Sequence, residues 1–429
     1  MSLEEIGKEY LQKAYPIVYP IVLERAKGIE IWDSKGNRYL DFFSGFGVIN
    51  YGHSHPKIVQ AVKDQMEKIA HIGMIYYNVP ALQLAKKLAE ISPGDLKKVY
   101  YANSGTEAVE GSIKLAKKYS VKEQGKTGAY VIAFDYAFHG RGALTLTLTH
   151  ERKYKRLLGH FANYPGVVHL PSPYCFRFPG DEETCKQYTL EKVDEYIRYH
   201  LGPENVAAII MEPVMGEGGI IVPPDGWLKE LEKIARENDV LLIVDEVQSG
   251  FGRTGKIFGH EWDNVNADIM TMGKALGAGL PLAGTMTTEK IDSAWEPGDH
   301  NVTFSGNPVA CAAGLAGIEV LLEEKLHENA LKVGELIMGK LRDSSLSIIG
   351  EVRGRGLFIG VELVKEGKKP NPEATKKVKD LMFKKGYIIG TGGMFGNVVR
   401  IEPPLSVSAE QADKMTDDLI ESIKEASLL

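Results

Sequence analysis

Residues 240–250 read VLLIVDEVQSG, in which five consecutive apolar side chains, Val240 to Val244, run straight into two carboxylates, Asp245 and Glu246. An unbroken apolar run of that length suits a parallel strand buried on both faces, and the carboxyl end of such a strand is where open α/β sheets place their ligands. A carboxylate in that position is costly to desolvate unless a cation meets it, so positive charge is expected close by.

Outward from this strand, similar short apolar runs recur at 130–134, 207–211 and 269–272, alternating with helical patterns from about residue 80. The alternation predicts the α/β class, with a mostly parallel sheet flanked by helices. Upstream, residues 17–45 read as a small β-meander around the Ser-Lys-Gly-Asn turn at 34–37. Beyond about residue 320, LHENALKVGELIMGKLRD (326–343) and the segment 409–426 read as helices, and FIGVEL (358–363) and VVRIEP (398–403) as strands. A chain of 429 residues exceeds what one core usually holds. The expected organisation is a large domain over 61–320 and a smaller α/β domain drawn from both termini, 1–60 and 321–429. The segment 171–186, rich in Pro, Gly and aromatics, reads as an insertion loop.

Composition narrows the function classes. With 44% hydrophobic and 25% charged residues the chain is of ordinary globular type, and a net charge of -6 argues against nucleic acid or an anionic membrane as partner. No apolar stretch approaches 18 residues, and MSLEEIGKEYLQKAYP carries acids where a leader would carry basic residues, so a cytoplasmic protein is expected. In that compartment Cys175, Cys185 and Cys311, which form no CxxC pair, are expected as free thiols. His53 and His55 of GHSHP make a poor ligand set, so no metal is expected.

Three cofactors compete for the end of the 240–245 strand. Gly250, Gly252 and Gly255 fit G-x-G-x-x-G, yet four residues separate them from the strand and the segment after them is weakly helical. GFGRTGKI nearly matches a P-loop, but Ile257 stands where a hydroxyl should bind Mg²⁺. The third reading makes Asp245 the partner of a protonated pyridine nitrogen, that of pyridoxal phosphate, which also needs a lysine and an anion cradle. Lys274 supplies the amine: it follows the apolar run 269–272 in a segment otherwise free of charge as far as Thr288, surroundings that lower a lysine's pKa. Ser104, Gly105 and Thr106 open an amphipathic helix whose unpaired amides suit a phosphate, although by itself this is a capping motif with Glu107 three residues on.

With these residues in place the chain resembles the class III, or ω-amino acid, aminotransferases of the fold type I pyridoxal-phosphate enzymes. SGTEA, FHGR, MEPVMGEGG, DEVQSGFGRTG, GKALGAGLPLAG and TFSGNP occur in family order, and the similarity runs from FFSGFGVINYGHSHP (42–56) to VVRIEPPL (398–405). The resemblance implies that Asp245 pairs with the pyridine nitrogen, that Lys274 attaches the cofactor covalently, that Val247 and Phe138 sandwich the ring, and that Gln248 lies near its phenolic oxygen. Gly105 and Thr106 would bind the phosphate, joined by Thr303 from a partner subunit, which implies a homodimer or a dimer of dimers. His139 is read as orienting the loop that carries Phe138.

For substrates, the resemblance gives Arg400 the α-carboxylate of a 2-oxo acid and Glu217 the task of masking that arginine while an ω-amine is bound. Arg141, Ile49 and Glu212 match the pocket of 4-aminobutyrate aminotransferases, with 2-oxoglutarate as acceptor in a ping-pong cycle. Acetylornithine and ornithine aminotransferases share much of this pattern, GTGGMFGNVVRIEPPL and SPYCFRFPG look more like alanine-glyoxylate relatives, and some class III relatives racemise amino acids.

Overall fold

The computed structural model of the chain describes residues 1–428. Its centre is a seven-stranded sheet in the spatial order Lys98–Ala102, Ala283–Thr287, Ile269–Met272, Leu241–Asp245, Val206–Met211, Tyr130–Phe134, Val167–Leu170. The strands from Ile269–Met272 to Val167–Leu170 pair in parallel, and Ala283–Thr287 runs antiparallel to both of its neighbours. Every residue of Val206–Met211, Leu241–Asp245 and Ile269–Met272 is buried. That is why these strands read as apolar runs, with only Thr271 inside one and Asp245 at the tip of another as exceptions: helices cover both faces, and each large side chain removed from water contributes about 1.5–3 kcal/mol. The helix Gly105–Lys122 crosses one face, packing on the central strands, while Trp227–Glu237 lies against the other.

Both ends of the chain meet beside this sheet. The meander strands Leu23–Lys27, Glu30–Asp33 and Arg38–Asp41 form a sheet whose fourth member is Tyr387–Ile388, with Leu40 beside Tyr387 and Asp41 beside Ile388 in parallel register. Next to it, Ile349–Arg355, Phe358–Lys365, Val398–Ile401 and Gly390–Gly392 form a second sheet. The helices Leu326–Asp343, Pro372–Lys384 and Ala409–Ala426 pack together around these strands. Among the described residues no helix is long and apolar enough to cross a membrane.

Two expectations are corrected. The stretch 171–186 is not all loop: a 3-10 turn spans Cys175–Arg177 and a helix starts at Glu182. The start is encoded by Asp181, whose side chain accepts from the Thr184 amide at 2.8 Å, with Glu182 and Glu183 favouring the positive end of the helix dipole. Cys175 and Cys185 are not free thiols but a disulfide, because the turn folds back and brings their Cα atoms to 5.5 Å, within bridging range. Cys311 is free and buried.

The glycine-rich stretch 250–255 is structural. A Cβ on Gly252 would lie 2.7 Å from Leu321 Cδ1 and 2.8 Å from Leu405 Cδ1, so the turn is packed into the core with no room for a nucleotide. Arg253 is fully buried there, donating to the carbonyls of Leu357 and Pro403 and to Asn50 Oδ1. Burial pulls its pKa down to about 10. Its role is to tie the meander segment to the C-terminal strands.

Candidate active site

A cavity of about 260 Å³ opens at the carboxyl ends of the parallel strands, lined by Ser104, Gly105, Thr106, Phe138, His139, Arg141, Glu212, Asp245, Val247, Gln248 and Lys274 among others. Each lining segment leaves the sheet at the same edge: Phe138 and His139 just past Tyr130–Phe134, Glu212 after Val206–Met211, Asp245 at the tip of its strand, Lys274 after Ile269–Met272. The Lys274 backbone has φ 45°, a conformation unusual for a residue with a Cβ, and it turns the chain sharply at the cavity floor. Burial draws the Lys274 ammonium down to about 8.

The side chain that meets Asp245 is neither a lysine nor an arginine but a histidine. His139 Nδ1 lies 2.7 Å from Asp245 Oδ2, and Oδ1 accepts from the Thr271 hydroxyl at 2.9 Å and the Val247 amide at 3.1 Å. These contacts fix the plane of the carboxylate. Neighbouring Glu246 is satisfied by Ser249, His260 and the amides of Gly259 and His260. Glu212 accepts from the Phe138 and Gly216 amides at 2.9 and 3.0 Å, bracing the loop that carries Phe138, and burial pushes its carboxyl up to about 7.

These residues fit pyridoxal phosphate on the structure's own terms. An oriented acid and a lysine of depressed pKa face one cavity. On its wall the helix Gly105–Lys122 begins, so the first amides after Ser104 lack acceptors within the helix. The Ser104 hydroxyl caps only the Glu107 amide, at 3.3 Å. A Cβ on Gly105 would sit 3.0 Å from Val247 Cγ1, so bare backbone is what leaves a slot beside that valine. His139 Nε2 is buried, and among the described residues it has no partner. When bound, the cofactor supplies an aldehyde that condenses with amines and a ring that accepts the electron pair of the bond being broken.

Two arginines differ sharply, Arg141 in the cavity lining and Arg400 behind it. Arg400 is fully buried on Val398–Ile401, with Nη1 2.7 Å from Glu217 Oε2 and Nε 2.8 Å from Glu402 Oε1. Arg141 is exposed, and among the described residues no carboxylate pairs with it; its guanidinium lies 4.3 Å from the Tyr154 ring centroid and 5.7 Å from that of Phe138. The surface ion pair that an arginine after a loop glycine often makes is absent among the described residues.

Four predicted residues lie outside the cavity lining: Glu217 and Arg400, joined to it through Glu402 and Gln248, and Ile49 and Thr303. Ile49 is half-buried close to the loop after Lys274, where a Cβ on Gly279 would lie 3.4 Å from its Cδ1. Thr303 is exposed beside Phe304, whose ring is 4.8 Å from that of His71. The histidines of GHSHP pair with acids distant in sequence, His53 with Asp41 at 2.8 Å and His55 with Glu324 at 3.0 Å.

Three residues of the site escape sequence reasoning. Glu402 is buried and also accepts from Gln248 Nε2 at 2.7 Å, so it joins Arg400 to the cavity wall. A signal for it exists: residues i and i+2 of a strand share a face, and Glu402 follows Arg400 by two just past the end of the strand. Thr271 precedes Lys274 by three and carries only the apolar-run signal of its strand. Tyr154, whose hydroxyl donates to Glu217 Oε1 at 2.6 Å, comes from a short turn with no pattern to mark it.

Comparison with known proteins agrees with this geometry. The aminotransferase class-III family model matches residues 10–423. The acetylornithine aminotransferase of Methanothermobacter thermautotrophicus is 40% identical over 418 residues, 97% of this chain and 96% of that one. The alanine/serine racemase of Pyrococcus horikoshii is 39% identical over 420 residues, 95% of this chain and 86% of that one. Among solved structures, a thermostable omega transaminase 6-fold mutant from Pseudomonas jessenii superposes with a TM-score of 0.93 at 29% identity, covering 99% of both chains. Fold, cavity and whole-length similarity converge: the chain belongs to the class III aminotransferases, pyridoxal-phosphate-dependent enzymes of the α/β fold type I.

Proposed function

We propose that the chain moves the amino group of an ω-amino acid to a 2-oxo acid in a ping-pong cycle, with 4-aminobutyrate and 2-oxoglutarate as the leading pair. The observation that carries this reading is the contrast between the arginines. Arg141 offers a guanidinium that is unpaired among the described residues, at the cavity edge beside two aromatic rings, while Arg400 is covered by Glu217. A donor with its amine at one end and a carboxylate several carbons away needs a free cation at that distance. A planar guanidinium binds a carboxylate by two parallel hydrogen bonds.

In this mechanism Asp245, held by Thr271 and His139, keeps a proton on the ring nitrogen of the cofactor. The donor's distal carboxylate rests on Arg141. Lys274 Nζ takes the proton from the amine-bearing carbon of the donor, and in the second half-reaction it returns one to the carbonyl carbon of the acceptor. Between the halves Glu217 leaves Arg400, which then grips the α-carboxylate of the 2-oxo acid.

N-acetylornithine and ornithine present the same pairing of terminal amine and remote carboxylate, and the relative from Methanothermobacter thermautotrophicus is named for the first of them. A panel of the three donors with 2-oxoglutarate, followed by the absorbance change of the cofactor, ranks them. Arg141→Ala is expected to raise KM for the preferred ω-amino acid about 10–100-fold, the worth of a hydrogen-bonded charge pair, and to leave a simple monoamine almost unaffected. Equal effects on both would remove Arg141 from the site. The similarity to an alanine/serine racemase favours a second reading, amino acid isomerisation by the same lysine. Loss of optical rotation from one enantiomer, without 2-oxo acid and without accumulation of the aminated cofactor, would establish it.

The active unit in this proposal is a homodimer with Thr303 reaching the partner's phosphate site. The exposed apolar residues Met66, Met74, Ile75, Tyr76, Tyr77 and Phe304 support it. The Asn307 amide donates to the Ala70 carbonyl at 3.0 Å, so the segments bearing them adjoin.

A further inference from the structure

We propose that Tyr154 is a positioning residue that couples the two substrate-recognising arginines: its hydroxyl keeps hold of Glu217 when that carboxylate leaves Arg400, and its ring carries Arg141. The inference rests on the roles given to Arg141, Glu217 and Arg400 under the proposed function.

Glu217 is bound from opposite sides. Its Oε2 accepts from buried Arg400, while its Oε1 accepts from the Tyr154 hydroxyl at 2.6 Å and faces the Lys153 ammonium at 3.7 Å. A 2-oxo acid reaches Arg400 only if Oε2 lets go. Glu217 is only 22% exposed, and a carboxylate freed in such a place without a partner is costly. Oε1 already has its partners, and neither of them is the partner of Oε2. A rotation of the carboxylate off the guanidinium therefore leaves its charge on Tyr154 and Lys153 rather than uncompensated.

The same phenol reaches the donor side. The Arg141 guanidinium lies 4.3 Å from the Tyr154 ring centroid and Lys153 Nζ lies 4.7 Å from it, while the Phe138 ring is 5.8 Å away in an edge-to-face arrangement. One side chain on the turn Arg152–Lys155 thus touches the guanidinium given to the donor carboxylate and the acid that gates the acceptor carboxylate. Displacement of the phenol by Glu217 registers directly on Arg141. A cation over the face of the ring is attracted to it, so a shift of the ring is felt by the guanidinium.

The test uses the holoenzyme in single-turnover half-reactions. Enzyme loaded with pyridoxamine phosphate is mixed with 2-oxoglutarate, whose α-carboxylate needs Arg400, or with succinic semialdehyde, which has no α-carboxylate. Tyr154→Phe removes the hydroxyl and keeps the ring. It is expected to raise the half-saturating concentration of 2-oxoglutarate about tenfold, the worth of one buried hydrogen bond to a charged group, while the limiting rate and the succinic semialdehyde curve hold within about twofold. Tyr154→Leu also removes the ring and is expected to raise the 4-aminobutyrate and succinic semialdehyde values as well. A rise of equal size for both acceptors with Tyr154→Phe would mean a merely structural role and would overturn the proposal. So would an unchanged or tighter 2-oxoglutarate value, the latter meaning that the hydroxyl only locks the cover in place. Failure of the proposed function looks different: wild-type enzyme would then use none of the ω-amino acid donors, although the acceptor half-reaction remains readable. A wild type inert toward 2-oxoglutarate and pyruvate alike would overturn both.

Discussion

Lys274→Ala is expected to abolish transamination, lowering kcat by about 10⁴-fold or more, since it removes a positioned proton carrier worth up to about 10⁴ together with the nucleophile. The cofactor should still bind, through the helix start at Ser104–Thr106 and the acid at 245, but should wash out on dialysis and resist fixation by borohydride. Activity within tenfold of wild type would dismiss Lys274 as the reacting amine. The depressed pKa adds a pH signature. Only a neutral amine condenses with an aldehyde, so recombination of the apoenzyme with pyridoxal phosphate should accelerate as pH rises through about 8 and level off above it, rather than climbing toward the ordinary lysine value of 10.5. Stability carries the same signature. Between about 8 and 10.5 the unfolded chain binds the proton that the folded apoenzyme has lost, so the apoenzyme becomes more stable as pH rises through that window. Lys274→Met should erase that slope, as measured by denaturant titration.

Asp245→Asn is the second large effect, about 10²–10³-fold in kcat, the usual penalty for removing one preorganised electrostatic partner from a buried site. The amide keeps the shape and can still accept from Thr271, but it cannot hold a proton on a pyridine nitrogen. The contacts that orient Asp245 make the comparison clean, because Thr271 and the Val247 amide remain to place the substitute. The diagnostic measurement is kcat together with cofactor affinity: kcat should fall by far more than the affinity weakens. A kcat within tenfold of wild type would mean that the electron sink works without this acid.

Much of this architecture is readable in the sequence because the chemistry that builds it is local. Apolar runs mark the central strands to within a residue, since a strand covered on both faces admits few polar positions, here Thr271 and Asp245. Ser104 is readable as a cap because capping is a matter of three residues. The features that escape depend on pairings across distance. Desolvation cost demands a cation beside Asp245, but the partner is a histidine 106 residues away, which no spacing rule announces. The Cys175–Cys185 bridge escapes because the expected compartment disfavours it, whereas ten-residue proximity and the turn between them bring it about. The helix at Glu182 is hidden behind prolines and aromatics, although Asp181 and two acids spell its start. Tyr154 gives no signal at all, because a phenol on a short turn acquires meaning only from its contacts.

The pairing of the two chain ends has a consequence for how the enzyme is made. Leu40 and Phe42 donate their amides to the carbonyls of Gly386 and Ile388, both at 2.8 Å, so the meander's inner strand gains its neighbour only when the ribosome has added some 350 further residues. At roughly 10 residues per second that wait is about half a minute. Throughout it the emerging N-terminus exposes an unsatisfied strand edge, and Arg400 and Glu402 do not yet exist. The wall formed by Arg400 and Glu402 must therefore close after the rest of the site is made, and the interval before it is the stage at which newborn molecules most need protection from sticking to one another.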